Sequence, residues 1–338
     1  MMSLSCRYRP AEFEEVCGQQ SIITILKRQL ELNEIKNCYL FCGPSGCGKT
    51  TLARIFANKI NKGQGSPIEI DGASNNGVDN VRNIIKEATE RSIDSEYKIY
   101  IIDECHQITI AAWNAFLKCI EEPPKYTIFM FCTTEPNKIP NTILNRVMRF
   151  NLTRVPIEQI KNRLLYVCKQ EGYTNYDETC DYISKISFGG VRDSLALLEK
   201  AASYSTDLNI DNVLKSLGNF SYNVLFDLTD AMTHKDEENI IKIINYCFNT
   251  GNDLKLFINQ FTDFSLDLFK YNLFKDISLT KFPISYKQDL DEIINFENSQ
   301  NYFSKIISEL MKLSINLKYE VNPLITTTIS LLDMIRSC

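Results

Sequence analysis

The sequence lacks the features typical of membrane-spanning proteins, of secreted proteins and of DNA-binding proteins with a large positive net charge. No apolar run approaches the roughly 18 residues that a membrane-spanning helix needs. The N-terminus reaches a charge at Arg7 without an apolar leader segment. The 338 residues carry 37 basic and 42 acidic side chains, a net charge of −5, so no global positive field steers the protein to DNA. We therefore expect an intracellular soluble protein without a membrane span, whose contacts with nucleic acid would depend on local basic patches or helix N-termini.

Cysteine pairs with metal-binding spacing are also missing, although the chain has twelve cysteines. No two cysteines stand in a C-x-x-C arrangement, and several fall within apolar runs, such as Cys38 and Cys42 in CYLFC and Cys132 in IFMFC. A zinc site needs clustered ligands. We therefore predict no zinc, and reduced thiols that pack as small apolar side chains in a reducing compartment.

Short apolar runs alternate with helical patterns over the first 150 residues. Near-continuous apolar runs such as IYII and TIFMF indicate strands buried on both faces of a parallel sheet, and the βαβα order is typical of a doubly wound α/β domain. The predicted strands are Cys38–Cys42, Ile68–Ile70, Ile99–Asp103, Thr127–Cys132 and Val147–Leu152. The helices predicted between them are Thr50–Asn61, Val78–Arg91 and Ala111–Ile120.

Beyond Asn151 the pattern is helical. Three short helices are predicted at Pro156–Glu171, Tyr176–Ser187 and Val191–Ser203, and helical periodicity continues from about residue 214 to the end. We predict an α/β domain over 1–152, a three-helix lid over 153–213 and an all-α domain over 214–338.

A phosphate-binding loop is the strongest motif. The segment Gly43 to Thr50 reads G-x-x-x-x-G-K-T, follows a predicted strand and opens a predicted helix. Its backbone amides and the helix N-terminus suit phosphate oxygens, Lys49 suits the β- and γ-phosphates, and the Thr50 hydroxyl suits Mg²⁺. A chance match would lack this strand-loop-helix context. The predicted nucleotide-binding residues here are Gly43, Pro44, Ser45, Gly46, Cys47, Gly48, Lys49, Thr50 and Thr51.

An acidic pair ends the strand IYIID. We predict that Asp103 holds Mg²⁺ together with Thr50 and that Glu104 polarises the attacking water as general base. On its own such a pair is more often a helix cap or a solvated turn; the phosphate-binding loop upstream favours the functional reading. His106, one of only two histidines, is interpreted as a structural polar contact in preference to a catalyst.

Thr133-Thr134 follows the next strand. In a sheet where this strand lies beside the strand of the phosphate-binding loop, a polar residue at its tip can reach the γ-phosphate or the lytic water. An ordinary turn explains Thr-Thr-Glu-Pro equally well.

Several collinear motifs over residues 7–200 give the chain a resemblance to a known family. It resembles the gamma/tau subunits of the bacterial DNA polymerase III clamp loader, which are AAA+ ATPases. The matching segments are Tyr8-Arg-Pro10, FEEVCGQ (13–19), TTLARIFA (50–57), IEIDGASNNGVDNVR (68–82), YIIDECHQIT (100–109), AFLKCIEEPP (115–124), TTEPNKIPNTILNR (133–146) and GGVRDSLALLEK (189–200).

The resemblance implies roles for residues that spacing alone does not single out. Thr134 matches the first sensor, and Arg146 matches an arginine that enters the ATP site of the neighbouring subunit. Arg192, which opens the third lid helix, matches the second sensor, a contact to the γ-phosphate of its own site. The segment that wraps adenine and ribose is matched by Tyr8, Arg9, Pro10, Val16 and Gly18.

The chain departs from the family pattern in two places. Typical members carry a four-cysteine zinc module between the P-loop helix and the IEID strand, whereas this interval is only 61–67 and has no cysteine. Asn145 and Val147 replace the Ser and Cys that flank the family's arginine. Because the sequence ends at Cys338, we also expect that the polymerase- and helicase-contacting extension of the long form is absent.

The function implied is an ATP-hydrolysing motor subunit that opens a sliding clamp and places it on primed DNA during replication. Its expected cofactors are ATP and Mg²⁺. Its expected partners are other clamp-loader subunits in a ring or spiral, joined by the C-terminal helices as a collar, together with the clamp and primer-template DNA, in the cytoplasm at replication forks. The candidate DNA contacts are Asn75, Asn76 and Arg82, near a helix N-terminus, although a capped surface helix explains them equally well.

Two other functional classes remain as alternatives. A non-hydrolysing scaffold subunit would have a degenerate phosphate-binding loop, whereas Lys49, Thr50, Asp103 and Glu104 are intact. Another AAA+ machine, such as a branch-migration motor, would lack the SNNGV and EEPP segments.

Overall fold

The computed structural model describes residues 2–251 and 253–337. The chain forms two compact units. One comprises the residues up to Val167 with Ser187–Ala196, and the other comprises Cys168–Ile186 with the residues from Leu197 onward. The three-domain boundaries at 152 and 213 stay a prediction.

A parallel five-stranded sheet forms the centre of the first unit. Its order is β2-β3-β4-β1-β5, so β4 lies between the strand that leads into the phosphate-binding loop and the strand that ends in the acidic pair. All five strands were predicted, to within one residue at each end. They are β1 (Cys38–Cys42), β2 (Ile68–Asp71), β3 (Lys98–Asp103), β4 (Thr127–Thr133) and β5 (Met148–Asn151).

The inner strands β1, β3 and β4 are apolar on both sides because both faces of the sheet are covered by helices, whereas the edge strands β2 and β5 are more exposed. Alternate residues of a strand point to opposite faces, so Tyr39 and Phe41 pack on one side while Leu40 packs on the other. One face is covered by α2 (Gln20–Leu32) and α3 (Lys49–Ile60), the other by α4 (Val78–Ala88) and α5 (Ile110–Glu121).

Two details of these helices differ from the prediction. The sequence reading overlooked α2, although Ile22, Ile23 and Leu26 form a buried stripe at helical spacing. The helix predicted to reach Arg91 ends at Ala88. Beyond that point the amides of Thr89 and Glu90 bond to carbonyls three residues back, which tightens and terminates the helix.

The remaining helices carry the chain to its end. In order they are the short α1 (Leu4–Arg7) and α6 (Asn141–Leu144), then α7 (Ile157–Glu171), α8 (Asp177–Ile186), α9 (Val191–Tyr204), α10 (Ile210–Leu217), α11 (Tyr222–Thr233), α12 (Glu237–Asn249), α13 (Leu254–Phe274), α14 (Lys287–Ile293), α15 (Ser299–Asn316) and α16 (Pro323–Ser337). In the second unit α13 packs along α15, and the buried Phe257 and Phe264 of α13 contact Phe220 and Phe226. In the parts of the chain that the structure describes, no helix is long and apolar enough to cross a membrane.

Most of the cysteines behave as small apolar side chains. Nine of the eleven that the structure describes are buried and none is in a disulfide, whereas Cys6 is exposed and Cys17 half-buried. Burial raises the pKa of Cys38 to about 12 and that of the fully enclosed Cys132 well above its usual value. These two thiols are therefore neutral, as expected for packing groups. Cys338 lies outside the described residues.

The aromatic centre of the sheet makes a testable contribution to stability. Phe41 is fully buried and stacks on Phe150 with ring centroids 5.5 Å apart. We expect Phe41→Ala to lower the free energy of unfolding of the first unit by about 3–5 kcal/mol, because it leaves a cavity. The single tryptophan, Trp113, is buried against Phe131 in this unit and reports its urea unfolding by fluorescence. The control Ile25→Ala, at a side chain 43% exposed, should cost less than about 1 kcal/mol; equal costs would contradict the assignment of this core.

Candidate functional site

The loop from Gly43 to Gly48 joins the end of β1 to the start of α3. Gly43 has a φ of +155° and donates its amide to the Thr133 carbonyl at the end of β4, 3.1 Å away. A Cβ at this position would lie 2.7 Å from the Leu152 carbonyl oxygen. Only glycine allows the loop to pass this close to the ends of its neighbouring strands.

Lys49 is the first residue of α3, and it is almost fully buried, with 7% of its surface exposed. Its Nζ donates to the carbonyl oxygens of Gly43, at 3.0 Å, and Pro44, at 2.9 Å. The loop therefore surrounds its own cation. A buried ammonium held only by neutral carbonyls is a strong site for an anion such as phosphate.

The acidic pair lies beside this loop. Asp103, the last residue of β3, accepts a hydrogen bond from the Thr50 hydroxyl at 2.7 Å and another from the Glu104 amide at 2.9 Å. Glu104 has a left-handed backbone, with a φ of +45°, a conformation that non-glycine residues adopt mainly where the surroundings enforce it. A hydroxyl next to a carboxylate is a pair of hard oxygen donors of the kind that Mg²⁺ prefers. Thr50 and Asp103 therefore fit a magnesium ion that would also be bound by phosphate and water.

Two polar side chains, one after β4 and one after β3, contact the Glu104 carboxylate. The Thr134 hydroxyl donates to Oε2 of Glu104 at 3.4 Å, and Nδ1 of His106 lies 3.3 Å from the same oxygen. His106 is only 5% exposed, and it also contacts Thr133 and Glu135. It is therefore held on several sides, which fits a structural polar residue that also touches Glu104.

One cavity in the first unit collects most of the predicted nucleotide-site residues. Of these, the cavity is lined by Tyr8, Arg9, Pro10, Val16, Ser45, Gly46, Cys47, Gly48, Lys49, Thr50, Thr51, Asp103, Glu104 and Arg192. Gly18, Gly43, Pro44 and Thr134 are not among the lining residues, and Thr134 contacts the site through Glu104. The sequence reading missed five lining residues, namely Ser5, Cys17, Arg163, Val191 and Leu195.

Arg163 is the most informative of the missed residues. It lies on α7 and donates from one guanidinium nitrogen to the Tyr8 carbonyl oxygen, 2.6 Å away. Tyr8 in turn packs edge-on against Tyr166 of the same helix. This helix therefore holds the N-terminal segment at the cavity. A single arginine in an amphipathic helix gives no sequence signal of such a contact.

Arg192 enters the cavity from the start of α9. The preceding residue, Val191, donates its amide to the Gly46 carbonyl at 3.0 Å, which ties this helix start directly to the phosphate-binding loop. On the opposite side, burial and the nearby Arg54 guanidinium lower the pKa of Arg9 from its usual value. With Lys49, these arginines give the cavity a positive lining that suits a polyphosphate.

Arg146 does not line this cavity. It follows α6, where one guanidinium nitrogen donates to the Thr142 carbonyl at 2.7 Å and the other lies 2.7 Å from Oε1 of Glu121. The side chain is 39% exposed. The arginine therefore lies at the surface, where Thr142 and Glu121 hold it.

The candidate DNA contacts lie at the start of α4. The Asn75 side-chain amide donates to the Asp71 carbonyl at 3.1 Å, the Asn76 carbonyl accepts from the Thr109 amide at 3.1 Å, and Arg82 is exposed beside Asp79. Because Thr109 is the N-cap of α5, the starts of α4 and α5 lie next to each other.

Within residues 2–251 and 253–337, no group of three or more His, Cys, Asp and Glu side chains is placed to hold a metal ion. The prediction that the protein holds no zinc stays a prediction.

Gly72 controls the position of the acidic pair. Its amide donates to the Asp103 carbonyl at 2.8 Å, and a Cβ there would lie 2.7 Å from that oxygen and 3.0 Å from the Glu104 oxygen. We expect Gly72→Ala to destabilise the first unit by about 1–3 kcal/mol through overpacking against backbone. Gly77→Ala is the matched control, since a Cβ there meets nothing within 4 Å. Similar urea midpoints for the two variants, followed by Trp113 fluorescence, would contradict this constraint.

Comparison with known proteins gives consistent matches. Residues 58–156 match the family model described as DNA polymerase III, delta subunit. The chain is 35% identical over 286 residues to the DNA polymerase III subunit tau of Bacillus subtilis, covering 78% of this chain and 51% of that protein. It is 29% identical over 340 residues to the DNA polymerase III subunit gamma of Buchnera aphidicola, covering 94% and 91%. The chain spans about half the length of the first of these relatives.

Solved structures show the fold. The Thermotoga maritima RuvB Holliday junction branch migration motor aligns with a TM-score of 0.53 at 20% identity, over 68% of this chain and 80% of that one. The aligned part of this chain therefore shares the fold of that motor. At this identity the likeness establishes the fold alone.

Proposed function

We propose that this chain, a homologue of the DNA polymerase III gamma/tau subunits over most of its length, is an ATP-hydrolysing motor subunit of a sliding-clamp loader. The observation that carries the proposal is the meeting of Lys49, Thr50, Asp103 and Glu104 at one cavity. A subunit that served only as a scaffold would have no need of a complete set of phosphate, metal and water-activating groups.

The phosphate end of the cavity supplies the chemistry. Lys49 exchanges its loop carbonyls for the β- and γ-phosphate oxygens, and the loop amides complete the cradle. Thr50 and Asp103 would hold Mg²⁺, which neutralises charge on the phosphates when bound. Glu104 accepts the proton of the attacking water, and the Thr134 hydroxyl orients its carboxylate.

The other end of the cavity suits the nucleoside. Tyr8, Pro10 and Val16 offer apolar surface for adenine, while Arg163 and α7 hold the segment that carries them. Gly18 has a positive φ and supports the turn next to Val16 without lining the cavity.

Two arginines have different proposed roles in catalysis, one in the site of its own chain and one in the site of a neighbour. Arg192 lines the cavity of its own chain and contacts the γ-phosphate there, so it couples α9 to the nucleotide. Arg146 stands apart from that cavity on an exposed surface. Such an arginine acts on the site of a neighbour in a ring or spiral, where the contacts are heterologous.

In this proposal ATP binding assembles the subunits through the C-terminal helices as a collar and opens the clamp around primer-template DNA, and hydrolysis releases it. Asn75, Asn76 and Arg82 bind the DNA backbone at the adjoining starts of α4 and α5, without reading base sequence. The machine works in the cytoplasm at replication forks. The RuvB likeness does not favour branch migration, because it extends to the fold only.

Two substitutions separate binding from hydrolysis. We expect Lys49→Ala to remove ATP binding, because it deletes the buried cation of the loop. Glu104→Gln should keep ATP binding and lower turnover by roughly 10²–10⁴-fold, since the amide cannot accept a proton. Binding of a fluorescent ATP analogue and phosphate release measure the two effects, with the surface variant Lys59→Ala as control. Normal turnover in a folded Lys49→Ala protein would contradict the site.

A mixing experiment tests the role of Arg146. Arg146→Ala should bind ATP normally as a single chain, yet lose up to about 10³-fold in turnover within the assembled complex, because the neighbour's transition state loses a positive charge. Co-assembly of Arg146→Ala with Lys49→Ala subunits should restore partial activity, because one mixed interface contains a complete site. Weaker ATP binding by the isolated Arg146→Ala chain, or no rescue although the mixed complex forms, would refute action in trans.

A further inference from the structure

The EEPP segment is specific to this family resemblance, yet the proposed function gives it no role. Its first residue, Glu121, is the last residue of α5, and Oε1 of Glu121 lies 2.7 Å from a terminal nitrogen of Arg146. A carboxylate at the C-terminal end of a helix is unfavourable by itself, because it faces the negative end of the helix dipole. The Arg146 cation compensates this charge.

The rest of the segment makes Glu121 a rigid support. Pro123 and Pro124 cannot continue the helix and have a fixed φ. The Pro124 carbonyl accepts the Thr127 amide at 3.0 Å, at the first residue of β4. Glu121 is thus held between the end of a core helix and the start of a central strand of the sheet.

Arg146 is held at both of its terminal nitrogens. One donates to the Thr142 carbonyl and the other meets Glu121. This leaves further N–H groups of the guanidinium for an anion. Because the pair is exposed, with 39% of the Arg146 side chain and 46% of the Glu121 side chain accessible, it adds little to the stability of the fold.

We propose that Glu121 is a positioning residue that orients Arg146 for the ATP site of the neighbouring subunit. The proposal rests on the proposed action of Arg146 in trans. A long, flexible arginine at an exposed edge loses rotamer freedom when it enters a partner's site, and a guanidinium already oriented by Glu121 and the Thr142 carbonyl loses less of it. In this proposal the EEPP segment has a role. It fixes the position of Glu121, and through Glu121 that of Arg146, relative to the sheet.

Glu121→Gln tests the proposal in the complex assembled with the partner subunits. We expect the turnover number of the complex to fall roughly 10-fold, because a loosely held arginine is misplaced at the reacting phosphate. ATP binding by the isolated chain and its urea unfolding should stay unchanged. The matched control is Glu122→Gln, which removes the same charge one residue further along and should keep the normal rate.

Two further measurements separate positioning from other effects. In an Arg146→Ala background, Glu121→Gln should cause no additional loss, since the two residues act as one unit. Lys49→Ala subunits, which supply an intact Glu121–Arg146 pair, should rescue Glu121→Gln subunits on co-assembly. A normal rate for Glu121→Gln, or an additional loss in the double variant, would overturn the proposal. A faster rate would also overturn it, because Glu121 would then restrain the arginine as a latch.

The failure of this inference is distinguishable from the failure of the proposed function. If Arg146→Ala leaves turnover of the assembled complex unchanged, action in trans is wrong and the positioning role falls with it. If Arg146→Ala abolishes turnover while Glu121→Gln does not change it, only the positioning role is wrong.

Discussion

The site depends on one geometric constraint, which is that the five strands are parallel and end at the same edge of the sheet. β4 separates the strand that leads into the phosphate-binding loop from the strand that ends in Asp103. Nevertheless, the Thr50 hydroxyl reaches Asp103 at 2.7 Å, because α3 begins directly above the strand ends. This hydrogen bond joins the phosphate-binding half of the site to its acidic half.

The two ends of β4 contact two different functional regions. At its C-terminal end, the Thr133 carbonyl receives the Gly43 amide, and Thr134 contacts Glu104. At its N-terminal end, Thr127 bonds to Pro124 of the segment that supports Glu121. A shift of β4 would therefore disturb the cavity of this chain. It would also disturb Arg146, which we propose acts on the ATP site of a neighbouring subunit.

Local patterns were sufficient for most of the first unit. The inner strands β1, β3 and β4 were predicted because continuous apolar runs occur where both faces of a sheet are buried, and the phosphate-binding loop was predicted because its glycines have a required spacing. The short stripe of α2 was overlooked, since it lies between turn-forming segments. The role of Arg163 at Tyr8 had no local signal, because the two residues are far apart in the chain and meet only when α7 packs beside the N-terminal segment.

The sequence by itself therefore determined the elements and the chemistry: the strands, the Lys49 loop, the Asp103–Glu104 pair, and a family resemblance that assigned candidate roles to Arg146 and Arg192. The tertiary structure decided the strand order, the contacts around Glu104, the lining of the cavity by Arg163, and the pairing of Arg146 with Glu121. Periodicity and motif spacing record what neighbours along the chain require. Contacts between distant segments leave no such trace, because many residue types on a surface helix satisfy the same local pattern, and only packing selects which of them meet.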